Sequence, residues 1–290
     1  MKYIYIITIL ASVNAIACTT FASFNGENNS FIMAKNRDNN PDNQVIEVVA
    51  QPNKFKYLAL SRKDVPDFVS VGVNEHNLAV FNEVTIEYSN KATGGIADDF
   101  SKDILQNYTT ATAVIPDIPK LIKKYPDPVF YQVSDGLNLL SIEVAPNHKY
   151  QYSITTAGSF AHTNNYQESQ LIKNYPYTTS EKQRLTNSQT RYNRALNLLN
   201  SESKINLVAM QNIGLDRNAG NDDSIFRTGA NPTPRTSKSL AFFVVELNKH
   251  DSTVIQANLY SVGEKYQYIL TPSFWQSYAS GITILKPNSK

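Results

Sequence analysis

The sequence predicts an α+β fold in a single domain, with antiparallel sheets covered by helices. Segments with strand and helix character follow one another in blocks rather than in the strict alternation of a doubly wound fold. The 290-residue chain shows no internal repeat, charge run or linker that would divide it. A chain of this length can bury a substantial core without disulfide bonds.

The first block predicts a β-hairpin followed by further strands. Residues 17–24 are rich in Thr and Phe, as strands are. Asn25-Gly26 begins a turn, and residues 30–35 form the returning strand. This hairpin carries Asn36, Arg37 and Asp38 to the end at which Cys18 lies. Further strands are predicted at residues 44–49, 57–60, 68–73 and 78–85.

The pattern then changes to a helical period. Residues 97–108 and 118–125 predict helices, and Pro116 and Pro119 lie at the start of the second one. A run of strands follows at residues 129–134, 139–144 and 150–155. Then come a helical region at 168–199 that is broken near Tyr175-Pro176, a short helix at 205–213 and a polar loop at 216–238. The chain ends in strands at 239–247, 253–260 and 266–269.

The composition excludes several classes of protein. The formal charge is +2, from 27 basic and 25 acidic residues, which is not the basic excess of a nucleic-acid-binding protein. The 41% hydrophobic and 18% charged content is that of a folded chain. Cys18 is the single cysteine, so neither an internal disulfide nor a thiolate metal cluster can form.

The amino terminus has the pattern of a secretory signal peptide. Lys2 is followed by an apolar segment at residues 3–11, which is too short to span a membrane. Ala15-Ile16-Ala17 is the small-x-small pattern that precedes a cleavage site. We expect residues 1–17 to be removed, residues 18–290 to form the exported periplasmic or secreted domain, and no other segment to span a membrane.

Three interpretations of Cys18 are open at this point. Cleavage would give one residue a thiol and a free α-amine, and the amine can accept the thiol proton and so create a nucleophile. Alternatively, a small residue followed by Cys suits lipoprotein processing, which would anchor the protein and, with N-acylation, remove the base. A third interpretation is an inert thiol with cleavage elsewhere.

Four segments occur in an order that is typical of one enzyme group. They are Cys18-Thr19-Thr20-Phe21, residues 34–38 ending in Asp38, residues 72–79 followed by Asn82, and residues 161–166. Together they resemble the N-terminal-nucleophile (Ntn) amide hydrolases: the choloylglycine hydrolase, penicillin acylase, isopenicillin-N acyltransferase-like and acid ceramidase-like groups. The resemblance covers about residues 18–166.

This resemblance implies a four-layer αββα sandwich and a reaction on linear amides. Cys18 Sγ would attack an amide carbonyl and form a thioester that water hydrolyses. Asp38 would orient the α-amine. Asn164 would donate into the oxyanion hole, with Asn165 as the alternative if the register differs by one. Asn82 is a candidate second donor. Each of these residues also suits an ordinary turn or surface position.

The resemblance also implies two arginines near the nucleophile. The first lies three residues before the aspartate, where this chain has Lys35, while Arg37 directly precedes Asp38; either could serve. The second comes from the C-terminal part, where Arg227 is the first candidate and Arg235 the second. The mechanism needs no histidine, so we expect structural or surface positions for His76, His148, His162 and His250.

The sequence therefore predicts an exported amidohydrolase that acts on a small N-acyl amide. The resemblance implies no metal and no organic cofactor, and it allows a homo-oligomer. An acyltransferase that uses the same thioester is a close variant. A non-catalytic lipoprotein or binding protein anchored through Cys18 is the contrasting hypothesis.

Overall fold

The computed structural model describes residues 18–39, 42–86, 97–229, 237–248 and 253–288. The predicted signal peptide, Arg235 and His250 lie outside these residues. The described strands are β1 Thr19–Asn25, β2 Ser30–Asn39, β3 Gln44–Ala50, β4 Tyr57–Arg62, β5 Val71–Asn74, β6 Ala79–Val84, β7 Val129–Ser134, β8 Leu139–Ala145, β9 Lys149–Thr155, β10 Ser159–His162, β11 Lys238–Glu246, β12 Thr253–Leu259, β13 Glu264–Leu270 and β14 Gly281–Ile284.

These strands form two antiparallel sheets. The first sheet has the order β10-β1-β2-β11-β12-β13, and the second has the order β14-β3-β4-β5-β6-β7-β8-β9. The described helices are α1 Ala97–Asn107, α2 Ala111–Val114, α3 Ile118–Lys124, α4 Thr179–Ser201, α5 Leu207–Gly214, α6 Gly220–Asp223 and α7 Pro272–Gln276. Within the described ranges no helix is both long enough and apolar enough to cross a membrane.

Three apolar clusters show how the layers are stacked. The first cluster lies between the sheets and includes Phe31, Met33, Phe81 and Phe243. The second joins the outer face of the second sheet to α1, α2 and α3, and the third joins the outer face of the first sheet to α4 and α5. The layers are therefore helix, sheet, sheet and helix, and the predicted αββα sandwich in one domain is confirmed.

Strand β2 distributes the predicted site residues over both faces of the first sheet. Side chains alternate along a strand, so Lys35 follows Phe31 and Met33 toward the second sheet. Asn36 faces the opposite way and donates to the carbonyl oxygen of Gly214 in α5 at 2.7 Å. Because β2 is buried between β1 and β11, its polar side chains must find partners inside the protein.

Several elements differ from the predictions. The short strands β10 and β14 and the short helix α7 were not predicted. The predicted helical region over residues 168–199 has its break near Tyr175-Pro176, as expected: only a single 3₁₀ turn, Ser169–Ile172, lies before the break, and α4 begins at Thr179. The helix starts there because Thr178 and Glu181 form a capping box, in which each side chain accepts the other residue's backbone N–H.

Candidate active site

The first hairpin brings Cys18 next to Asp38. Cys18 directly precedes β1, its side chain is 5% exposed, and its thiol donates to the backbone oxygen of Asp38 at 3.9 Å. Antiparallel pairing of Thr19 with Asn36 sets this register. The nucleophile candidate and the carboxylate candidate therefore lie on neighbouring strands at one end of the first sheet.

Asp38 has one satisfied and one unsatisfied carboxylate oxygen. Its Oδ1 accepts from Ser239 Oγ at 2.7 Å, whereas its Oδ2 is buried and has no hydrogen-bond partner among the described residues. Burial raises the pKa of Asp38 to about 6, although Arg227 and Arg191 oppose the rise. The residue whose backbone oxygen contacts Cys18 thus has a buried side-chain acceptor left open for a donor.

A guanidinium from α4 joins the nucleophile candidate to the oxyanion candidate. Arg191 Nη1 donates to the backbone oxygen of Cys18 at 2.6 Å and to Thr19 Oγ1 at 2.7 Å. Its Nη2 donates to Asn164 Oδ1 at 2.9 Å, and its Nε donates to Asn187 Oδ1 at 3.0 Å. One buried side chain therefore fixes the segments before β1 and after β10 relative to each other.

Arg191 was not among the predicted site residues, although the sequence holds a signal for it. The buried face of α4 includes Ser188, Arg191, Ala195 and Leu199, spaced three or four residues apart. That spacing is the stripe by which a helix faces a core, so an arginine within the stripe is placed inward. Burial and the neighbouring Arg227 lower the pKa of Arg191 to about 10, which leaves it charged at neutral pH.

Asn164 is held on three sides. Its Oδ1 accepts from Arg191, its Nδ2 donates to the backbone oxygen of Val84 at 2.7 Å, and its backbone N–H donates to Ser188 Oγ at 2.9 Å. The side-chain amide carries two hydrogens, and the bond to Val84 uses one of them. The second hydrogen is the one that could stabilise an oxyanion.

Lys35 and Arg37 lie on the inner face of β2. The ammonium of Lys35 donates to Ser70 O and Ser70 Oγ, each at 3.0 Å, and to the backbone oxygen of Asn82. These three bonds use all of its N–H groups, so Lys35 can act on the Cys18 thiolate only through its charge. Burial lowers the pKa of Lys35, and attraction to Cys18 opposes this.

Arg37 has different partners. Its Nη2 donates to Asp42 Oδ2 at 3.3 Å, and its guanidinium lies over the ring of Phe68 at 5.4 Å. Burial lowers the pKa of Arg37, and Asp42 and then Cys18 oppose this. Both basic side chains of β2 therefore lie within electrostatic reach of Cys18, and neither hydrogen-bonds to its sulfur.

Two other predicted residues, Asn82 and Asn165, have side chains that are not part of this hydrogen-bonded cluster. Asn82 Nδ2 donates to Val69 O at 2.7 Å and to Ser101 Oγ at 3.0 Å, which commits both amide hydrogens on the α1 side of the second sheet. Asn165 Nδ2 donates to the backbone oxygen of Leu185 at 3.0 Å. Asn82 therefore has no amide hydrogen left for the role of second donor, and the amide of Asn165 bonds to the backbone of α4 rather than to Arg191.

Arg227 lies near Asp38 without bonding to it. The side chain is 7% exposed, its positive charge opposes the raised pKa of Asp38, and its Nε and Nη1 have no partner among the described residues. Its backbone N–H donates to Ser239 Oγ at 2.9 Å. The guanidinium that contacts Cys18 and Asn164 is that of Arg191, and Arg227 supplies a second buried positive charge.

The described histidines do not contact Cys18. His76 packs edge-on against Phe55, with ring centroids 4.2 Å apart, and His148 ends a 3₁₀ turn. His162 is buried at the end of β10. Among the described residues, no group of three or more His, Cys, Asp or Glu side chains could hold a metal ion.

The two stacked antiparallel sheets and the flanking helices form an αββα sandwich that two solved enzymes share. The fold matches a mutant of conjugated bile acid hydrolase from Clostridium perfringens with a TM-score of 0.63 and 13% identity, over 93% of this chain and 97% of that chain. It matches penicillin V acylase from Agrobacterium tumefaciens with a TM-score of 0.56 and 16% identity, over 94% of this chain and 93% of that chain. No protein-family model and no curated protein matches the sequence. The likeness therefore establishes a shared fold.

Proposed function

We propose that this protein is an amidohydrolase whose nucleophile is Cys18, released as a new amino terminus. The observation that carries the proposal is the buried cluster around the single cysteine. Asp38, Arg191 and Asn164 come from three different parts of the chain, and all lie against Cys18 or its immediate contacts. A thiol, an acidic group, a cation and an amide donor are the groups that acyl transfer through a thioester needs.

The proposed reaction begins with transfer of the Cys18 thiol proton to its own α-amine. The sulfur then attacks the amide carbonyl. The carbonyl oxygen becomes an oxyanion that accepts a hydrogen bond from the free N–H of Asn164 Nδ2. The protonated α-amine returns the proton to the leaving nitrogen as the C–N bond breaks, which leaves a thioester. Water attacks the thioester, the acid departs, and the thiol is regenerated.

Two buried groups would prepare this step. The open Oδ2 of Asp38 is an acceptor for the α-ammonium, which would also lower the pKa of the Asp38 carboxyl. Arg191 binds both the backbone oxygen of Cys18 and Asn164 Oδ1, so the nucleophile and the oxyanion donor are positioned by the same rigid fork. Such fixed geometry is a large part of catalysis in enzymes of this type.

Export supplies the new amino terminus in this proposal. Cleavage of the signal-peptide pattern after Ala17 would expose Cys18, so the exported protein would be active and the precursor inactive. The substrate would be a small N-acyl compound with a linear amide bond. The hydrolase of conjugated bile acids and the acylase of penicillin V that share the fold support that class.

The test combines the mass of the mature protein with activity. The full sequence is produced in a bacterium that exports it, and the intact mass is measured. We expect a chain that begins at unmodified Cys18 and releases amine from a panel of N-acyl amides. Cys18→Ser and Cys18→Ala should abolish release while export continues. A mass increase equal to a diacylglycerol, or full activity in Cys18→Ser, would overturn the proposal.

The same panel separates hydrolysis from acyl transfer. When hydroxylamine is added as a competing nucleophile, a hydrolase forms mainly the free acid and an acyltransferase forms mainly the hydroxamate. We expect the acid as the main product.

A further inference from the structure

One carboxylate on the second sheet holds both ends of the segment that carries Asn164. Glu143 lies on β8 and is 6% exposed. Its Oε1 accepts from His162 Nε2 at 2.8 Å and from the backbone N–H of Gln167 at 2.7 Å. Its Oε2 accepts from the backbone N–H of Glu168 at 3.0 Å. Asn164 lies between these attachment points.

The contacts of His162 favour an ionic pairing with Glu143. His162 Nδ1 lies 2.8 Å from the backbone oxygen of Thr163, which can only accept, so this nitrogen donates. Glu143 accepts two backbone N–H groups, which favours its carboxylate form, and His162 Nε2 donates to a carboxylate. An imidazole that donates from both nitrogens is protonated.

The surroundings of His162 favour this charge. Burial lowers the pKa of His162, but Glu143 from β8, Glu83 from β6 and the Thr163 carbonyl outweigh it, and the net shift is upward. Burial also raises the pKa of Glu143, and the bonds from His162 and the two backbone N–H groups reverse that effect. The ring of Phe130 packs on His162 at 4.2 Å and limits water.

The position of β10 explains why this attachment matters. β10 is the edge strand of the first sheet, and it ends at His162, which pairs with Thr20 in β1. Beyond His162 the segment has no sheet partner, and its position depends on side chains. Arg191 and Ser188 hold it from the α4 side, and Glu143 holds it from the second sheet.

We propose that Glu143 is a positioning residue for the reaction, acting through His162 and the 163–168 segment to hold the Asn164 amide where the oxyanion forms. This inference rests on the proposed function. Its effect should fall on the transition state, because the Asn164 amide would meet negative charge only there.

The test compares two buried glutamates that carry the same substitution. Glu143→Gln removes the charge that pairs with His162. It also places an amide N–H group against one of the N–H donors that Glu143 accepts in the parent. Glu47→Gln is the matched control, because Glu47 is a buried residue of β3 in the same sheet that accepts the backbone N–H of Asp67 at 3.0 Å. Both variants receive the best amide substrate found for the parent enzyme.

We expect Glu143→Gln to lower kcat by about 10–100-fold, the usual effect of losing a group that orients a catalytic residue, with KM changed by less than about twofold. The aldehyde corresponding to the acyl group forms a hemithioacetal with Cys18, and its binding should weaken by a similar factor. Alkylation of Cys18 by iodoacetamide needs no oxyanion donor and should keep its rate. Hydrogen exchange in residues 163–168 should become faster, and Glu47→Gln should show none of these changes.

Equal kcat in the two variants, or unchanged exchange in residues 163–168, would overturn the positioning role. A parent enzyme without any activity that depends on Cys18 would instead speak against the proposed function. The two failures are therefore distinguishable in one set of measurements.

Discussion

Replacing Arg191 tests the link between the proposed nucleophile Cys18 and the proposed oxyanion donor Asn164. Arg191 is 1% exposed, and its guanidinium makes four hydrogen bonds, to Cys18 O, Thr19 Oγ1, Asn164 Oδ1 and Asn187 Oδ1. Arg191→Lys retains the charge but not the planar fork, and Arg191→Met removes both.

The structure sets the size of the expected loss of stability. Hydrogen bonds to charged groups contribute about 1.5–3 kcal/mol each, and a buried acceptor left without its donor costs about 1–3 kcal/mol. Arg191→Met leaves four acceptors without this donor, three of them buried, so we expect the free energy of unfolding to fall by about 3–5 kcal/mol. In Arg191→Lys the ammonium can reach either the acceptors at Cys18 and Thr19 or the acceptor at Asn164, but not both. We therefore expect the free energy of unfolding to fall by about 1–3 kcal/mol.

Activity should respond more sharply than stability. In Arg191→Lys the Cys18 carbonyl and the Asn164 amide are no longer held by one rigid group, and a displacement of about 1 Å can cost about 10²-fold in rate. We therefore expect kcat/KM to fall by about 10²-fold in a protein that is still folded at neutral pH. Urea unfolding and amine release from the best substrate measure the two effects separately.

Arg194 provides the control on the same helix. Its side chain is about one-third exposed and pairs with Asp216 at 2.7 Å. Arg194→Lys should change the free energy of unfolding by about 1 kcal/mol or less, as is usual for exposed ion pairs, and it should leave kcat/KM unchanged. If Arg191→Lys behaved like Arg194→Lys in both assays, the positioning argument for Arg191 would be refuted.

Three further predictions concern buried ionisable side chains on β2, β6 and β8. Burial raises the pKa of Glu83 from 4.5 to about 7, so its folded form binds a proton more tightly than its unfolded form, and stability falls as the pH rises across that range. Glu83→Gln removes this titration. At about 1.4 kcal/mol per pH unit, the free energy of unfolding of Glu83→Gln, measured in urea, should rise by about 3 kcal/mol relative to the parent between pH 4 and pH 8. A constant difference would contradict this. Glu143→Gln should show the opposite trend, because the pKa of Glu143 is lowered and its charge stabilises the fold above the unfolded pKa. Lys35→Met should lower the free energy of unfolding by about 2 kcal/mol or more, since it leaves the acceptors on Ser70 and Asn82 unpaired; a loss below about 0.5 kcal/mol would show that the ammonium is dispensable.

The fold and part of the cluster could be predicted because their signals are local. The Asn25-Gly26 turn and the strands on either side predict the hairpin, and that hairpin places Cys18 beside Asp38. The resemblance added Asn164, which the structure brings to the same cluster. The short strands β10 and β14 have too few residues to show a clear alternation, so they were missed.

Long-range contacts decided which of several similar residues reach the cluster. Arg191 contacts Cys18 across 173 positions of sequence, whereas Arg227, the predicted arginine, lies near Asp38 without a bond to it. Asn82 fits the motif pattern, but it sits on the face of its strand that packs against α1. These outcomes depend on how helices and sheets pack, and no pattern of neighbouring residues encodes that packing directly.

The sequence by itself determined the single thiol, the hairpin that carries it, the order of the blocks of strands and helices, and the alternation that separates Lys35 from Asp38 on β2. These features depend on turn chemistry and on a period of two residues, which act over a few positions. Only the tertiary structure decided that Arg191 holds Asn164 and that Glu143 holds the segment around it. Those bonds form because burial forces each charged group to find a partner wherever the packed layers bring one within reach.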